Sequence, residues 1–428
     1  MNSKGFITNI KGAIVTTNKD VNIEFSSKNV ILIGRNGSGK TSFLTSLHNV
    51  LNHNIVHEQI LHLPGYRTTL SHFETQIDEN PGLQSSVDQY RSFIAANTSP
   101  VAVSYVDAPK FVRDYKSGHA IIRFYEATRK IAITKVMAAT PLKAERPAHQ
   151  NHSNFGVDLE QHLVNLKVNM ALALLRDDKA RNAKIDEWFA RFQEDLRYLF
   201  EDDSLKLEFN DEGLSFALVQ EGRPPYSFQS LSSGYLAIFD IYADLLVRAE
   251  YFNVLPADIS GVVLIDEIDA HLHISIQRKI LPFLTRSFPK VQFIVSTHSP
   301  FVISSTDDSL IYDLSTGKMC EDLSLFSLEH IVEAVLGVPP ISQRMQEKIA
   351  DLVDISASAE VELESLESLL VELAPHVDTF DDESRMFYEI SRNKYLVRKK
   401  GSTWLGQRLF LSHYLPREAT PIQMCSRL

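Results

Sequence analysis

The run from Val30 to Thr41 constrains the fold of this chain more than any other segment. Val30-Ile31-Leu32-Ile33 is continuously apolar, as a strand buried on both faces is. Gly34, Gly37 and Gly39 then punctuate a tight turn, and Thr41 to Leu51 reads as a helix. The turn satisfies G-x-x-x-x-G-K-[ST], the phosphate-binding loop pattern, or P-loop. Glycines let successive backbone N–H groups point at one anion, and the following helix presents its positive end to the same place. In this pattern Lys40 reaches the β- and γ-phosphates of a nucleotide, and the Thr41 hydroxyl binds Mg2+. Gly34, Asn36, Gly37, Ser38, Gly39, Lys40, Thr41 and Ser42 are therefore the expected nucleotide contacts. A chance match in a surface loop would lack the strand before it and the helix after it.

A second apolar run, Val262 to Ile265, ends in Asp266-Glu267. Open α/β sheets place ligands at the carboxyl ends of their strands. Asp266 is expected to hold Mg2+, directly or through water, and Glu267 to orient or deprotonate an attacking water. An acidic strand end is common by itself and gains its meaning from the P-loop upstream. Leu231-Ser232-Ser233-Gly234-Tyr235 is small and polar ahead of a helical run, so backbone N–H groups and a serine hydroxyl could approach a phosphate there. An ordinary serine N-cap would look the same. Val295-Ser296-Thr297-His298-Ser299-Pro300 follows a further buried strand; His298 could donate to a γ-phosphate or serve a structural role.

The rest of the chain is read more coarsely. Val21 to Phe25 alternates as a half-buried strand, and 101–106 and 120–124 also look like strands. The remainder of 52–155 shows no clean period, and 141–154, with its prolines and histidines, reads as an exposed loop. Residues 157–200 read as helical, with Ile185, Trp188, Phe189, Phe192, Leu196, Leu199 and Phe200 on one core-facing stripe. A hairpin is expected over 204–228 and a long helix from Ser232 to about Ala249. The expected architecture is an α/β head over 1–339 with a helical insertion at 157–200, then a mostly helical extension over 340–428.

Composition narrows the class. A chain of 428 residues suits about two or three structural units and can build a core without disulfides or structural metal. Cys320 and Cys425 stand far apart with no CxxC spacing, which fits a reducing cytoplasm. The N-terminus lacks a signal-peptide run, and no segment reaches the roughly 18 apolar residues of a membrane span. The expectation is a cytoplasmic protein with no membrane partner. A net charge of −11 excludes a uniformly basic nucleic-acid binder but leaves room for a local basic patch.

The order GRNGSGKTS, LSSGY, VVLIDEIDAHLH, FIVSTHSP resembles the Walker A, signature, Walker B with D-loop, and His-switch motifs of ABC-type ATPases. More narrowly it resembles the SMC/RecF branch and the AAA15-type ATPases of bacterial anti-phage defence: Septu and retron-associated ATPase subunits, and the ATPase half of OLD proteins. The resemblance implies an ABC-type head of two lobes, with ATP and Mg2+ sandwiched between two heads. Ser232 and Gly234 would meet the γ-phosphate of the neighbouring head, Asp269 would lie in the D-loop, and His298 would contact the γ-phosphate within its own subunit. Ser233 and Tyr235 depart from the transporter LSGGQ form, which bears on how strongly heads close. His-Leu-His at 271–273 resembles a common family sequence with no metal role. His62-Leu63-Pro64-Gly65-Tyr66-Arg67 resembles the Pro-x-x-Arg segments of some defence ATPases, implying Arg67 near the nucleotide; a surface arginine is the alternative. The family's lobe-connecting glutamine has no secure counterpart.

The resemblance implies an ATP-driven clamp or sensor that controls a separate nuclease or toxin subunit, in a head-to-tail dimer or higher oligomer, with nucleic acid as a further partner class. A RecF-like repair ATPase and a scaffold with little turnover are the other readings. A self-contained nuclease is disfavoured, because no Asp-x-Asp occurs from Ser299 to Leu428. A rod-forming protein is excluded, since only 189 residues separate Thr41 from Leu231. Residues 351–390 hold twelve acidic side chains and one basic; 391–428 hold eight basic and one acidic. These blocks suit a partner surface or mutual pairing in a helical cap, and Arg392, Lys394, Arg398, Lys399 and Lys400, with Tyr395 and Trp404 interleaved, also suit a phosphate backbone.

Overall fold

The computed structural model describes residues 5–24, 28–129, 133–136, 138–139, 154–252, 254–321, 323–328, 331–335, 342–358 and 362–399. Its strands are β1 (Ile7–Ile14), β2 (Lys19–Glu24), β3 (Asn29–Ile33), β4 (Val101–Tyr105), β5 (Ala120–Tyr125), β6 (Lys206–Asn210), β7 (Ser215–Val219), β8 (Ser260–Ile265), β9 (Lys290–Ser296), β10 (Ser309–Asp313) and β11 (Lys318–Glu321). The expected loop at 141–154 lies, apart from Asn154, outside the described residues, as do Lys400, Trp404 and Cys425. Two compact units emerge, Met1–Phe326 and Ser327–Leu428.

In the first unit the large sheet runs β11-β10-β3-β9-β8-β5. All neighbours pair in parallel except the antiparallel β10–β11 edge. The apolar runs read from the sequence thus become central strands: Ile31, Leu32, Val262 to Ile265 and Phe293 to Val295 are fully buried. A smaller antiparallel sheet, β2-β1-β4, lies beside it. Gln292, buried in β9, joins the two sheets. Its carbonyl accepts the N–H groups of Phe6 and Ile7 at 3.0 Å, and its amide donates to the carbonyls of Ile7 and Lys28 at 3.0 Å. A glutamine fully satisfied by backbone can sit in a core at little cost.

The helix Lys40–Leu51 turns Phe43, Leu44, Leu47, Val50 and Leu51 inward, the stripe of an amphipathic helix. Helices Leu159–Leu175 and Lys179–Phe200, with the β6–β7 hairpin, carry the expected helical region. Phe192 packs against Tyr242 of the helix Ser233–Tyr251, ring centroids 6.2 Å apart, and the Tyr242 hydroxyl donates to Asp195 at 2.7 Å. A second helical pair, Leu63–Gln76 and Gln84–Thr98, was not legible in the sequence.

The second unit contains helices Gln343–Ala357, Leu363–Leu373 and Asp382–Lys399. They enclose their own core of Ile349, Leu352, Leu366, Leu370, Leu373, Phe380, Tyr388 and Tyr395. Lys399 of the basic segment pairs with Glu367 of the acidic one at 2.7 Å, while Lys348, which precedes both, pairs with Glu372 at 2.6 Å. Exposed pairs of this kind are screened by solvent and register helices rather than hold them together.

Candidate functional site

The P-loop sits where β3 ends. Gly34, Gly37 and Gly39 take φ values of 145°, 78° and 93°, in the region closed to most side chains. At Gly34 an added Cβ would stand 2.7 Å from Ser38 Oγ, so the loop is also too tight for one. Gly39 caps the Lys40–Leu51 helix without a side chain, leaving the first-turn N–H groups to a ligand. Asn36 and Gly37 are exposed, Ser42 is half-buried, and Ser38 is buried with its hydroxyl unpartnered.

Lys40 curls over the loop, donating to the Gly34 carbonyl at 2.9 Å and the Arg35 carbonyl at 3.4 Å. Burial pushes its pKa below the usual lysine value, while the charges of Asp266, Glu267, Asp269 and Asp313 oppose the shift. Thr41, Asp266 and Glu267 converge from the ends of β3 and β8. The Thr41 hydroxyl donates to Asp266 Oδ2 at 2.7 Å. A hydroxyl and a carboxylate side by side, next to the uncapped start of a helix, are the hard oxygen donors Mg2+ takes when phosphate completes its shell.

Ser296, the last residue of β9, locks the two carboxylate positions, and sequence reasoning did not single it out. Its fully buried hydroxyl donates to Asp266 Oδ1 at 2.5 Å and accepts the Glu267 N–H at 2.8 Å. Glu267 has φ 45°, a left-handed conformation costing a non-glycine residue about 1–2 kcal/mol. Such strain persists where neighbours over-determine the backbone, as Ser296 does here. The neighbouring Thr297 hydroxyl donates to Asp269 Oδ1 at 2.5 Å, tying the segment before His298 to the expected D-loop. His298 is half-buried. Desolvation and then the Lys40 charge push its pKa below 6.5, against the pull of Asp269, Glu267 and Asp266.

The Ser232–Gly234 segment begins the helix Ser233–Tyr251. Ser232 occupies the N-cap position, yet its side chain makes no capping bond, so the ordinary serine cap is not formed. Ser232 and Ser233 are exposed and Gly234 is buried. A Cβ on Gly234 would stand 2.9 Å from the His271 carbonyl oxygen, so the start of this helix is packed against the turn after Walker B. Tyr235 stacks on Phe200 with centroids 4.0 Å apart. This gives the tyrosine in the glutamine position of LSGGQ a packing role.

Two expectations resolve differently. Arg67 is exposed on the helix Leu63–Gln76 and makes no hydrogen bond or ion pair among the described residues, the surface arginine left open above. His273 caps the short helix Ile274–Gln277, its ring nitrogen accepting the Ser275 N–H at 3.4 Å. Arg129, which no pattern pointed to, donates to the carbonyls of Asp266 at 2.6 Å and Glu267 at 2.8 Å. No helix among the described residues is long and apolar enough to cross a membrane.

Residues 95–304 match the family model described as "AAA domain, putative AbiEii toxin, Type IV TA system". The chain is 33% identical over 180 residues to "Retron Ec83 probable ATPase" of Escherichia coli, covering 41% of this chain and 32% of that protein. It is 39% identical over 82 residues to "Septu protein PtuA" of Bacillus mycoides (strain KBAB4), covering 19% and 11%. The matched segments therefore span a third or less of these relatives. Among solved structures, an Smc head bound to the winged-helix domain of ScpA aligns over 73% of this chain and 96% of that one, at 15% identity and a TM-score of 0.34. A nucleotide-free cassette from an ABC transporter aligns over 78% and 96%, at 12% identity and a TM-score of 0.33. With its motifs in family order, its parallel sheet and these sequence matches, the chain resembles the ABC-type ATPases and, in the matched segments, the retron probable ATPase and the Septu protein PtuA.

Proposed function

We propose that this chain is the ATP-hydrolysing clamp or sensor subunit of an anti-phage defence complex, with each ATP held between two heads. The observation that carries this reading is a division of labour within one head. Lys40, Thr41, Asp266, Glu267 and His298 gather at the carboxyl ends of β3, β8 and β9, while Ser232 stands exposed with an unused hydroxyl at the start of a 19-residue helix. Each head thus carries a cluster built to hold phosphates and, on a separate element, a serine hydroxyl with no capping bond.

The Gly34–Thr41 N–H groups cradle the phosphates, and Lys40 exchanges the Gly34 and Arg35 carbonyls for phosphate oxygens. Thr41 and Asp266 would hold Mg2+, which neutralises charge on the β- and γ-oxygens when bound. Glu267 takes a proton from water as its oxygen attacks the γ-phosphorus and the bond to the β–γ bridging oxygen breaks. His298 donates to the γ-phosphate, and Ser232 and the Gly234 N–H of the second head close on it from the other side. Asp269 sets the D-loop at that junction. Closure on ATP and opening on hydrolysis would signal to a separate nuclease or toxin subunit, and the similarity to retron and Septu proteins supports that setting.

Mixing two inactive variants tests the shared site. Lys40→Ala removes the phosphate lysine and Ser232→Arg blocks the signature. Each alone should hydrolyse no ATP. Mixed dimers should regain part of the activity, because one of their two composite sites is intact. No recovery, with mixed dimers demonstrated by differential tagging, would defeat the sandwich.

A further inference from the structure

Arg129 lies four residues beyond β5, where the chain leaves the central sheet. Its guanidinium reaches three successive carbonyl oxygens: Asp266 at 2.6 Å and Glu267 at 2.8 Å from Nη2, and Ile268 at 3.5 Å from Nη1. Successive carbonyls of an extended chain point to opposite sides. Here the left-handed Glu267, φ 45°, breaks that alternation and lets the three oxygens converge. Convergent carbonyl dipoles repel unless a cation with several donors stands between them, which a planar guanidinium does.

The same arginine has a second connection. Its Nε is buried and has no hydrogen-bond partner. Burial pushes the Arg129 guanidinium below its usual pKa, and the fields of Asp240, then Asp269, Asp266 and Glu267, oppose that shift. Asp240 lies in the helix Ser233–Tyr251, under two turns from Gly234, and its Oδ1 accepts the Asn154 amide at 2.7 Å. A group that grips the backbone of Glu267 is therefore held in the field of a carboxylate on the signature helix.

We infer that Arg129 is a positioning residue: it fixes the Asp266–Ile268 turn that aims Glu267. The inference rests on the reading of Glu267 as the group that acts on water. Binding of nucleotide at the P-loop does not pass through the grip of Arg129.

The test compares full-length Arg129→Ala, Arg129→Lys and Glu267→Gln by kcat and KM for phosphate release, affinity for a fluorescent ATP analogue, and melting temperature. Misplacing a reacting group by about 1 Å costs on the order of 100-fold in rate, so Arg129→Ala should lose about that much kcat. Its nucleotide affinity should stay within about twofold, because the P-loop is untouched. Arg129→Lys should recover part of the rate, since one ammonium cannot span three carbonyls. If Arg129→Ala does not yield folded protein, Arg129→Lys decides the matter. Wild-type kcat in Arg129→Lys overturns the inference, as do parallel losses of affinity, melting temperature and rate. Normal turnover by Glu267→Gln would instead overturn the reading of the site.

Discussion

His162 carries a charge argument that reaches beyond the site. It is fully buried, meets Trp188 edge-on at 5.2 Å, and its Nε2 has no hydrogen-bond partner. Burial lowers its pKa to about 4, from 6.5 when exposed. Between those values the unfolded chain binds more protons than the folded one, so stability falls as pH drops from 6.5 towards 4. His162→Leu should flatten unfolding free energy against pH in that window by up to about 1.4 kcal/mol per unit. Equal slopes for variant and parent by denaturant titration would contradict the burial argument. At this scale the sequence was partly legible. Lys40, Thr41, Asp266 and Glu267 announce themselves because their spacing reflects local geometry. Ser296 and Arg129 do not. Their roles arise because β9 lies beside β8 and because the chain after β5 bends back over the Walker B turn.

Among the elements, the helix Ser233–Tyr251 carries the most constraints. Asp244, fully buried on it, accepts from Arg123 at 3.0 Å, Arg248 at 2.9 Å and the Tyr125 hydroxyl at 2.6 Å, fastening the helix to β5. Burial would raise this carboxyl, but Arg248 and Arg123 outweigh it and hold it below the usual value. Gly234 fixes the other end. Alanine there ordinarily favours a helix, but its Cβ would press on the His271 carbonyl oxygen at 2.9 Å, and backbone cannot yield as a side chain can. Gly234→Ala should therefore cost about 1–3 kcal/mol, the range of an overpacked core site. Exposed Ser233→Ala should stay within about 0.5 kcal/mol. A denaturation midpoint for Gly234→Ala equal to wild type would refute the close approach. Strands and this helix were legible because their apolar patterns match their burial. The pair Leu63–Gln76 and Gln84–Thr98 was not, because only Leu63, Val87 and Asn97 are buried along both helices. With so few inward positions there is no apolar stripe to read.

For the whole molecule, the two units have separate cores, one spread over the two sheets of the head and one inside the three C-terminal helices. All the residues proposed to act on ATP lie in the first. Turnover is proposed to need two copies of that first unit meeting across ATP. The most direct measurement is the solution mass of full-length Glu267→Gln by light scattering, without nucleotide, with ADP and with ATP, each with Mg2+. Without turnover the closed state should persist, so the mass should double with ATP alone and fall back when Ser232→Arg is added to the same chain. A mass unchanged at saturating ATP, with the nucleotide shown to be bound, would contradict the account.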